Sequence, residues 1–372
     1  MKSYIFNHIK NAETPFFKKT KQILLNAQAQ RINFRHAIAQ KFPKTIKPNI
    51  EIVTIAITSK CNLGCQGCSY GKDFMPLEYL TLSQVKEVLD NMKEMGLEHV
   101  WFYGGEPIMV HNEDLIEMVS YATNLGLIST LGTNGVMLTP NVMDELHEAG
   151  LGRLNIGLYG ISETYNEYVE RVDAFEKLDS NLAYIKKTYP RMSVSLGWLL
   201  MKPTCTKEAV EELTTFVKKH KFKVGINLVH YDFPYFTNGI KDDLQLYEED
   251  LPQIEEVTKA LIAFKKEHPE LIVTSFPALN SMYDWLIKKE TIDIPCYRYN
   301  YLWIASNGDV RVCQKAALLG NINEKSLTKI LNTEEHVQSA RDCFALNCTG
   351  CHVSWDRRTI TTPKSRKKYT LA

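Results

Sequence analysis

Short β-branched runs alternating with amphipathic helical stretches from Glu51 onward predict an α/β chain built on a parallel sheet. Two further observations support this. Helix caps and glycine stops fall where the alternation needs them, and three glycine- or cysteine-rich loops each follow one of the first three runs. Loops at the C-terminal ends of parallel strands are where such sheets place their chemistry.

Taken in order, residues 1–48 are basic and amphipathic and read as an N-terminal helical extension ending near Pro43 and Pro48. The candidate strands are Ile52–Thr58, His99–Tyr103, Leu127–Leu131, Arg153–Tyr159, Ser193–Leu200 and Val224–Val229. Between them lie helical stretches at Ser83–Met95, Asn112–Leu125, Asn141–Glu148, Glu176–Lys187 and Lys207–His220. Ser83 and Thr206 read as N-caps, Gly96 and Gly126 as helix stops. The repeat decays after Pro252, where Leu251–His268 is helical and Ile272–Ser275 offers a further strand. A hairpin follows, Tyr301–Ile304 and Val310–Cys313 about Asn307-Gly308, a signal for a two-residue turn. The expected domains are the extension at 1–48, a core at 49–290, a small α+β metal-binding module at 291–356 and a basic tail at 357–372.

Composition narrows the function classes. The 372 residues are 44% hydrophobic and 23% charged, an ordinary globular balance with material for a large core. A net charge of +1 gives no reason to expect nucleic acid. No apolar run approaches the roughly 18 residues of a membrane span, and Met1–Lys21 does not resemble a signal peptide. A cytoplasmic protein is expected. Its nine cysteines then argue against a disulfide framework and for metal.

The cysteines fall into two groups. Cys61, Cys65 and Cys68 form a CxxxCxxC loop directly after the first strand, and Cys296, Cys313, Cys343, Cys348 and Cys351 crowd the last fifth of the chain. Three thiolates in one loop can hold three irons of a cubane cluster and leave the fourth open to a small molecule. A zinc site completed from elsewhere, or three unrelated buried thiols, are the plainer alternatives. Gly104-Gly105-Glu106-Pro107 follows the second strand and Thr133-Asn134-Gly135 the third, so three motifs share one rim.

Together with Tyr103, Gly132, and Asn155–Gly160 through Glu170-Arg171, these residues resemble the radical S-adenosylmethionine (radical SAM) superfamily over about residues 50–352. The C-terminal cysteines resemble its auxiliary-cluster modules, called twitch and SPASM. The resemblance implies a partial (β/α)6 TIM-like barrel in which SAM chelates the open iron of a [4Fe-4S] cluster. Reductive cleavage then yields a 5′-deoxyadenosyl radical that takes hydrogen from a substrate. It implies SAM contacts by Gly104, Gly105, Glu106, Pro107, Thr133 and Asn134, with Arg171 on the carboxylate. Many relatives have an aromatic residue just before the third cysteine; Gly67 stands there, and Tyr70 is the substitute. Cys296, Cys313, Cys348 and Cys351 supply four ligands for one auxiliary iron–sulfur cluster, leaving Cys343 spare or an alternative ligand, with structural zinc as the competing reading.

Cys205 follows the fifth strand and is either a hydrogen-atom donor or, as lone cysteines more often are, a small core hydrophobe. His230–Phe236 is an aromatic loop that either contacts substrate or plugs the barrel. The resemblance also implies a reductant such as flavodoxin or ferredoxin. The short N-terminal extension leans the substrate toward a small polar metabolite, to be oxidised or rearranged. The rivals are a maturase or epimerase of a ribosomally made peptide, and a non-catalytic iron–sulfur or zinc protein.

Overall fold

The computed structural model describes residues 34–72, 74–75, 77–229, 242–289, 296–331, 333–347 and 351, with isolated positions of an N-terminal helix before them. Cys348, the loop 230–236 and the tail 357–372 lie outside the described residues.

Six parallel strands form the predicted sheet: β1 (Ile52–Thr58), β2 (His99–Gly104), β3 (Ile128–Thr133), β4 (Arg153–Leu158), β5 (Ser193–Leu200) and β6 (Lys223–Leu228). They lie in chain order from β6 to β1, and β7 (Tyr301–Ile304) then adds to the far side of β1 in parallel. β8 (Asp309–Arg311) and β9 (Gly320–Asn321) continue antiparallel, giving an open sheet of nine strands rather than a closed barrel. Burial alternates along β2 and β4. Val100 and Phe102 are fully buried under the outer helices, whereas His99, Trp101 and Tyr103 are only half-buried, on the inner face.

Helices cover the outer face: α1 (Leu82–Glu94), α2 (Asn112–Asn124), α3 (Pro140–Glu148), α4 (Ser162–Val169), α5 (Ala174–Thr188), α6 (Lys207–His220) and α7 (Leu251–Glu267). In α1 the buried residues Val85, Val88, Leu89 and Met92 recur at helical spacing, giving one apolar stripe against the sheet. Its cap is Thr81 rather than the expected Ser83. The Thr81 side chain accepts from the Gln84 N–H and the Gln84 side chain accepts from the Thr81 N–H, a reciprocal pair that Ser83 does not offer. Thr206 caps α6 as expected, accepting from Ala209 at 3.1 Å. Gly96 and Gly126 follow their helices at positive φ.

Two expectations are corrected. Ile272 makes only an isolated bridge to Val224, short of a strand. The Asn307-Gly308 hairpin closes with three residues, since Ala305 N–H donates to Asp309 O at 2.9 Å. Gly308, at φ 88°, takes the left-handed place that ends such a loop.

α8 (Phe276–Asn280) and α9 (Met282–Leu286) precede the C-terminal strands, and α10 (Leu327–Ile330) and α11 (Glu334–Ala345) follow them. The N-terminal segment docks here: Ala39 and Ile46 share a small core with Tyr297, Tyr299, Ala340 and Phe344. His36 is 2% exposed and bonds the Tyr299 hydroxyl at 3.2 Å. Burial, with Arg35 adding to it, pulls the His36 imidazole down to about 4. A histidine held neutral by the fold has its full stability above pH 6.5 and loses it as pH falls toward 4. The loss over that interval is on the order of 3 kcal/mol. We expect hydrogen exchange at residues 34–46, corrected for intrinsic rates, to accelerate between pH 7 and pH 5 in the wild type. It should accelerate less in His36→Gln; an equal response in both would remove His36 as the cause.

Candidate active site

The CxxxCxxC loop leaves the end of β1 and is tied down by α4. Gly64 N–H and Gln66 N–H donate to Val169 O and Tyr168 O at 3.1 and 2.9 Å, and Gln66 Nε2 to Glu167 O at 3.0 Å. The last carbonyls of a helix have no partner within it, so α4 supplies three acceptors to the loop. Across the rim, Asn134 Nδ2 donates to Asn62 Oδ1 at 2.8 Å and lies 4.0 Å from Cys61 Sγ.

The glycines at the end of β2 have a steric role. A Cβ on Gly104 would fall 2.1 Å from Thr58 O, and one on Gly105 2.3 Å from Lys60 O. Gly105 N–H and Glu106 N–H instead donate to Thr58 O and Lys60 O, both at 2.7 Å. Only glycine lets these two backbones touch. Glu106 is fully buried and accepts from Thr133 Oγ1 at 2.7 Å, Asn134 N–H at 2.8 Å and Ile108 N–H at 3.3 Å. Burial pushes its carboxyl up to about 7 against the pull of those donors. Glu106 thus clamps the second motif to the third.

A cavity of about 410 Å³ opens on this rim. Cys61, Cys65, Cys68, Tyr70, Gly104, Gly105, Thr133 and Asn134 all line it, while Glu106, Pro107, Arg171 and Cys205 are not among its lining residues. Arg171 pairs with Asp173 at 2.7 Å. Cys205 is 0% exposed within the main hydrophobic core, where burial pushes its thiol up to about 12; that placement matches the plainer reading of a core hydrophobe. Tyr70 is 5% exposed, with its ring edge-on to Tyr103 at 6.1 Å.

The same cavity reaches the C-terminal thiols. Cys296, Cys313, Cys343 and Cys351 line its other side. Cys296 begins the turn Tyr297–Asn300, its Sγ accepting from Arg298 N–H at 3.4 Å. Cys313 follows β8. A hydrogen bond with Cys343 is the largest cause lowering the Cys313 thiol to about 6. Cys343 thus stands beside Cys313 on the same wall of the cavity. It lies on the buried face of α11 with His336, Ser339, Ala340 and Phe344, a helical spacing that was the available signal in the sequence. Arg298 lies over the Tyr301 ring at 4.2 Å; burial works against its charge, but Tyr301 and the thiols of Cys296, Cys351 and Cys313 raise its pKa.

The donor sets fit iron–sulfur clusters. Burial first, then the neighbouring thiols, push Cys65 well above its ordinary range; burial chiefly pushes Cys61 up to about 11 and raises Cys68. Buried thiols so crowded become thiolates only around a group that brings positive charge, as a metal centre does. Among the described residues no three His, Cys, Asp or Glu are placed to hold a single ion. Ligands of a cubane each bind a different iron and stand wider apart than those of one zinc.

An open parallel sheet whose first strand ends in a CxxxCxxC loop, faced across one cavity by a second thiol group, is the architecture of a radical-based iron–sulfur enzyme. The sequence agrees: the chain carries a radical SAM superfamily domain at residues 55–217 and an iron–sulfur cluster-binding SPASM domain at residues 296–352. [4Fe-4S] clusters and SAM are its cofactors. The chain is 25% identical over 309 residues to the AdoMet-dependent heme synthase of Methanosarcina barkeri, covering 78% of this chain and 84% of that protein. It is 37% identical over 117 residues to the PqqA peptide cyclase of Bradyrhizobium diazoefficiens, a stretch covering 30% of this chain and 29% of the cyclase. The structure of Streptococcus suis SuiB bound to precursor peptide SuiA shares the fold, with a TM-score of 0.61 at 16% identity. That likeness covers 86% of this chain and 73% of SuiB. Among the described residues no helix is long and apolar enough to cross a membrane.

Proposed function

We propose that this enzyme oxidises or rearranges a side chain of a peptide substrate. Cys61, Cys65 and Cys68 would hold the SAM-binding cluster, and Cys296, Cys313, Cys343 and Cys351 the auxiliary one. The observation that carries this reading is the single cavity of about 410 Å³ lined by both thiol groups. When bound, the cluster and SAM supply the one-electron chemistry that takes a hydrogen atom from an unactivated carbon. The chain's own residues prepare the place for it. Glu106 fixes Thr133 and Asn134, Asn134 holds Asn62 beside Cys61, and Lys72, donating to Gly64 O at 3.3 Å, brings a positive charge near Cys65 and Cys68. Tyr159 and Tyr168, with ring centroids 4.9 Å apart, wall the thiol loop from water. A thiol group on the far side of the cavity suits an electron acceptor for an oxidised substrate.

The similarity to a peptide cyclase supports this reading and weighs against the small polar metabolite. A second reading, a heme precursor, is favoured by the heme synthase likeness, which spans most of both chains. The test is anaerobic incubation of reconstituted enzyme with SAM, reductant, and either a short peptide encoded beside the gene or an iron tetrapyrrole. A SAM-dependent mass change on the peptide supports the proposal. A change on the tetrapyrrole alone overturns it.

A further inference from the structure

Arg298 stands among the C-terminal thiols. Its N–H donates to Cys296 Sγ at 3.4 Å, and its guanidinium lies over the Tyr301 ring, 4.2 Å from the centre. Arg298, Tyr301, Cys296, Cys313, Cys343 and Cys351 all line the cavity, whose lining residues include no Asp, Glu or His. Arg298 is half-buried and makes no ion pair among the described residues. A cation taken from water without a counter-ion costs free energy, so its place calls for negative charge nearby. The ring fixes where that charge sits, because a guanidinium is attracted to an aromatic face.

The two thiol groups differ in their surrounding charge. Burial raises the Cys296 thiol most and the Cys343 hydrogen bond lowers the Cys313 thiol most, and at both the Arg298 charge favours the thiolate. At the N-terminal loop the cation is Lys72, which is exposed and so screened by water and salt. Glu106, fully buried, adds to burial in disfavouring the Cys61 thiolate. One site thus has a half-buried cation beside it, and the other a buried acid.

We propose that Arg298 raises the reduction potential of the auxiliary cluster and so suits the C-terminal site to take up an electron. Reduction adds one negative charge to a cluster and its thiolates, and a cation fixed beside them stabilises that added charge. Net charge and exposure are among the levers that set such potentials. Arg298 is thus a positioning residue, acting through Cys296, Cys313 and Cys351 and not on substrate. The inference rests on the proposed use of these thiols as cluster ligands, but it does not depend on which substrate the enzyme takes.

The test uses full-length enzyme carrying Cys61→Ala, Cys65→Ala and Cys68→Ala, so that only the C-terminal site can hold a cluster. The protein is reconstituted anaerobically and titrated potentiometrically, with the reduced cluster read by electron paramagnetic resonance and iron counted in each variant. Adding Arg298→Gln keeps a hydrogen-bonding group but removes the charge. It should shift the reduction equilibrium about tenfold toward the oxidised form, a midpoint about 59 mV lower for one electron. Arg298→Lys, which keeps the charge, should restore most of that loss. Should Arg298→Gln fail to load iron, Tyr301→Leu carries the test with a smaller fall, because it frees the guanidinium while sparing every thiol. An unchanged potential in the loaded variants, or Arg298→Lys as low as Arg298→Gln, overturns the role of Arg298. Zinc, or no metal, at the C-terminal site of the triple variant overturns the cluster reading of these thiols, and the inference with it.

Discussion

Enzyme in which Cys61, Cys65 and Cys68 are all replaced by alanine is expected to release no 5′-deoxyadenosine from SAM, whereas reconstituted wild type releases it under strong reductant. The three thiols come from one loop whose geometry is fixed independently of metal, by the carbonyls that end α4 and by Asn134. The variant should therefore keep its fold while losing the cluster. The loop hydrogen bonds that the substitutions spare involve Gly64, Gln66 and Asn62, none of which is changed. Liquid chromatography of the quenched reaction reads the outcome directly. Undiminished cleavage by the variant would place the SAM-reactive iron elsewhere.

The second large effect is on metal content. Wild type should carry about eight irons if both sites are four-iron cubanes, and the Cys61/Cys65/Cys68 variant about four. A Cys296→Ala/Cys313→Ala variant should also fall to about four irons, all of them at the N-terminal loop. Cys343→Ser separates the two ligand sets. If the thiol that touches Cys313 is a ligand, this change alone should loosen the C-terminal iron, which chelator challenge followed by iron and sulfide analysis would detect. Zinc in place of the residual iron would make the module a structural staple. Substrate turnover should also stop when the auxiliary thiols are removed, because the electron of an oxidised substrate then has no acceptor across the cavity.

The sheet was legible because its strands are buried on the helix side, so residues such as Val53, Ile55 and Ile57 had to be apolar whatever the loops did. The rim was legible because glycine and cysteine motifs are local: Gly104 and Gly105 sit where two backbones collide with any larger residue. What the sequence hid was long-range. The clamp of Glu106 on Thr133 and Asn134 was hidden, since a carboxylate's partners cannot be read from its own neighbours. Arg171 satisfies itself two residues away on Asp173, a pairing that competes with any ligand. The approach of Cys343 to Cys313 was hidden because the spacing between them runs through a helix, not through a tight motif.

That joining also sets a schedule for the ribosome. β1 is made early, but its partner β7 emerges ~250 residues later, and pairings so distant are slow to form. Until then β1 keeps one open edge, the kind of surface on which nascent chains aggregate. The N-terminal segment faces the same delay, since Ala39 and Ile46 find their partners only among residues 297–344. Early termination would therefore leave the reactive loop beside an unclosed edge, with no opposing thiols. The wall of the cavity that carries the C-terminal thiols thus arrives last, and a chain stopped before Cys296 lacks it altogether.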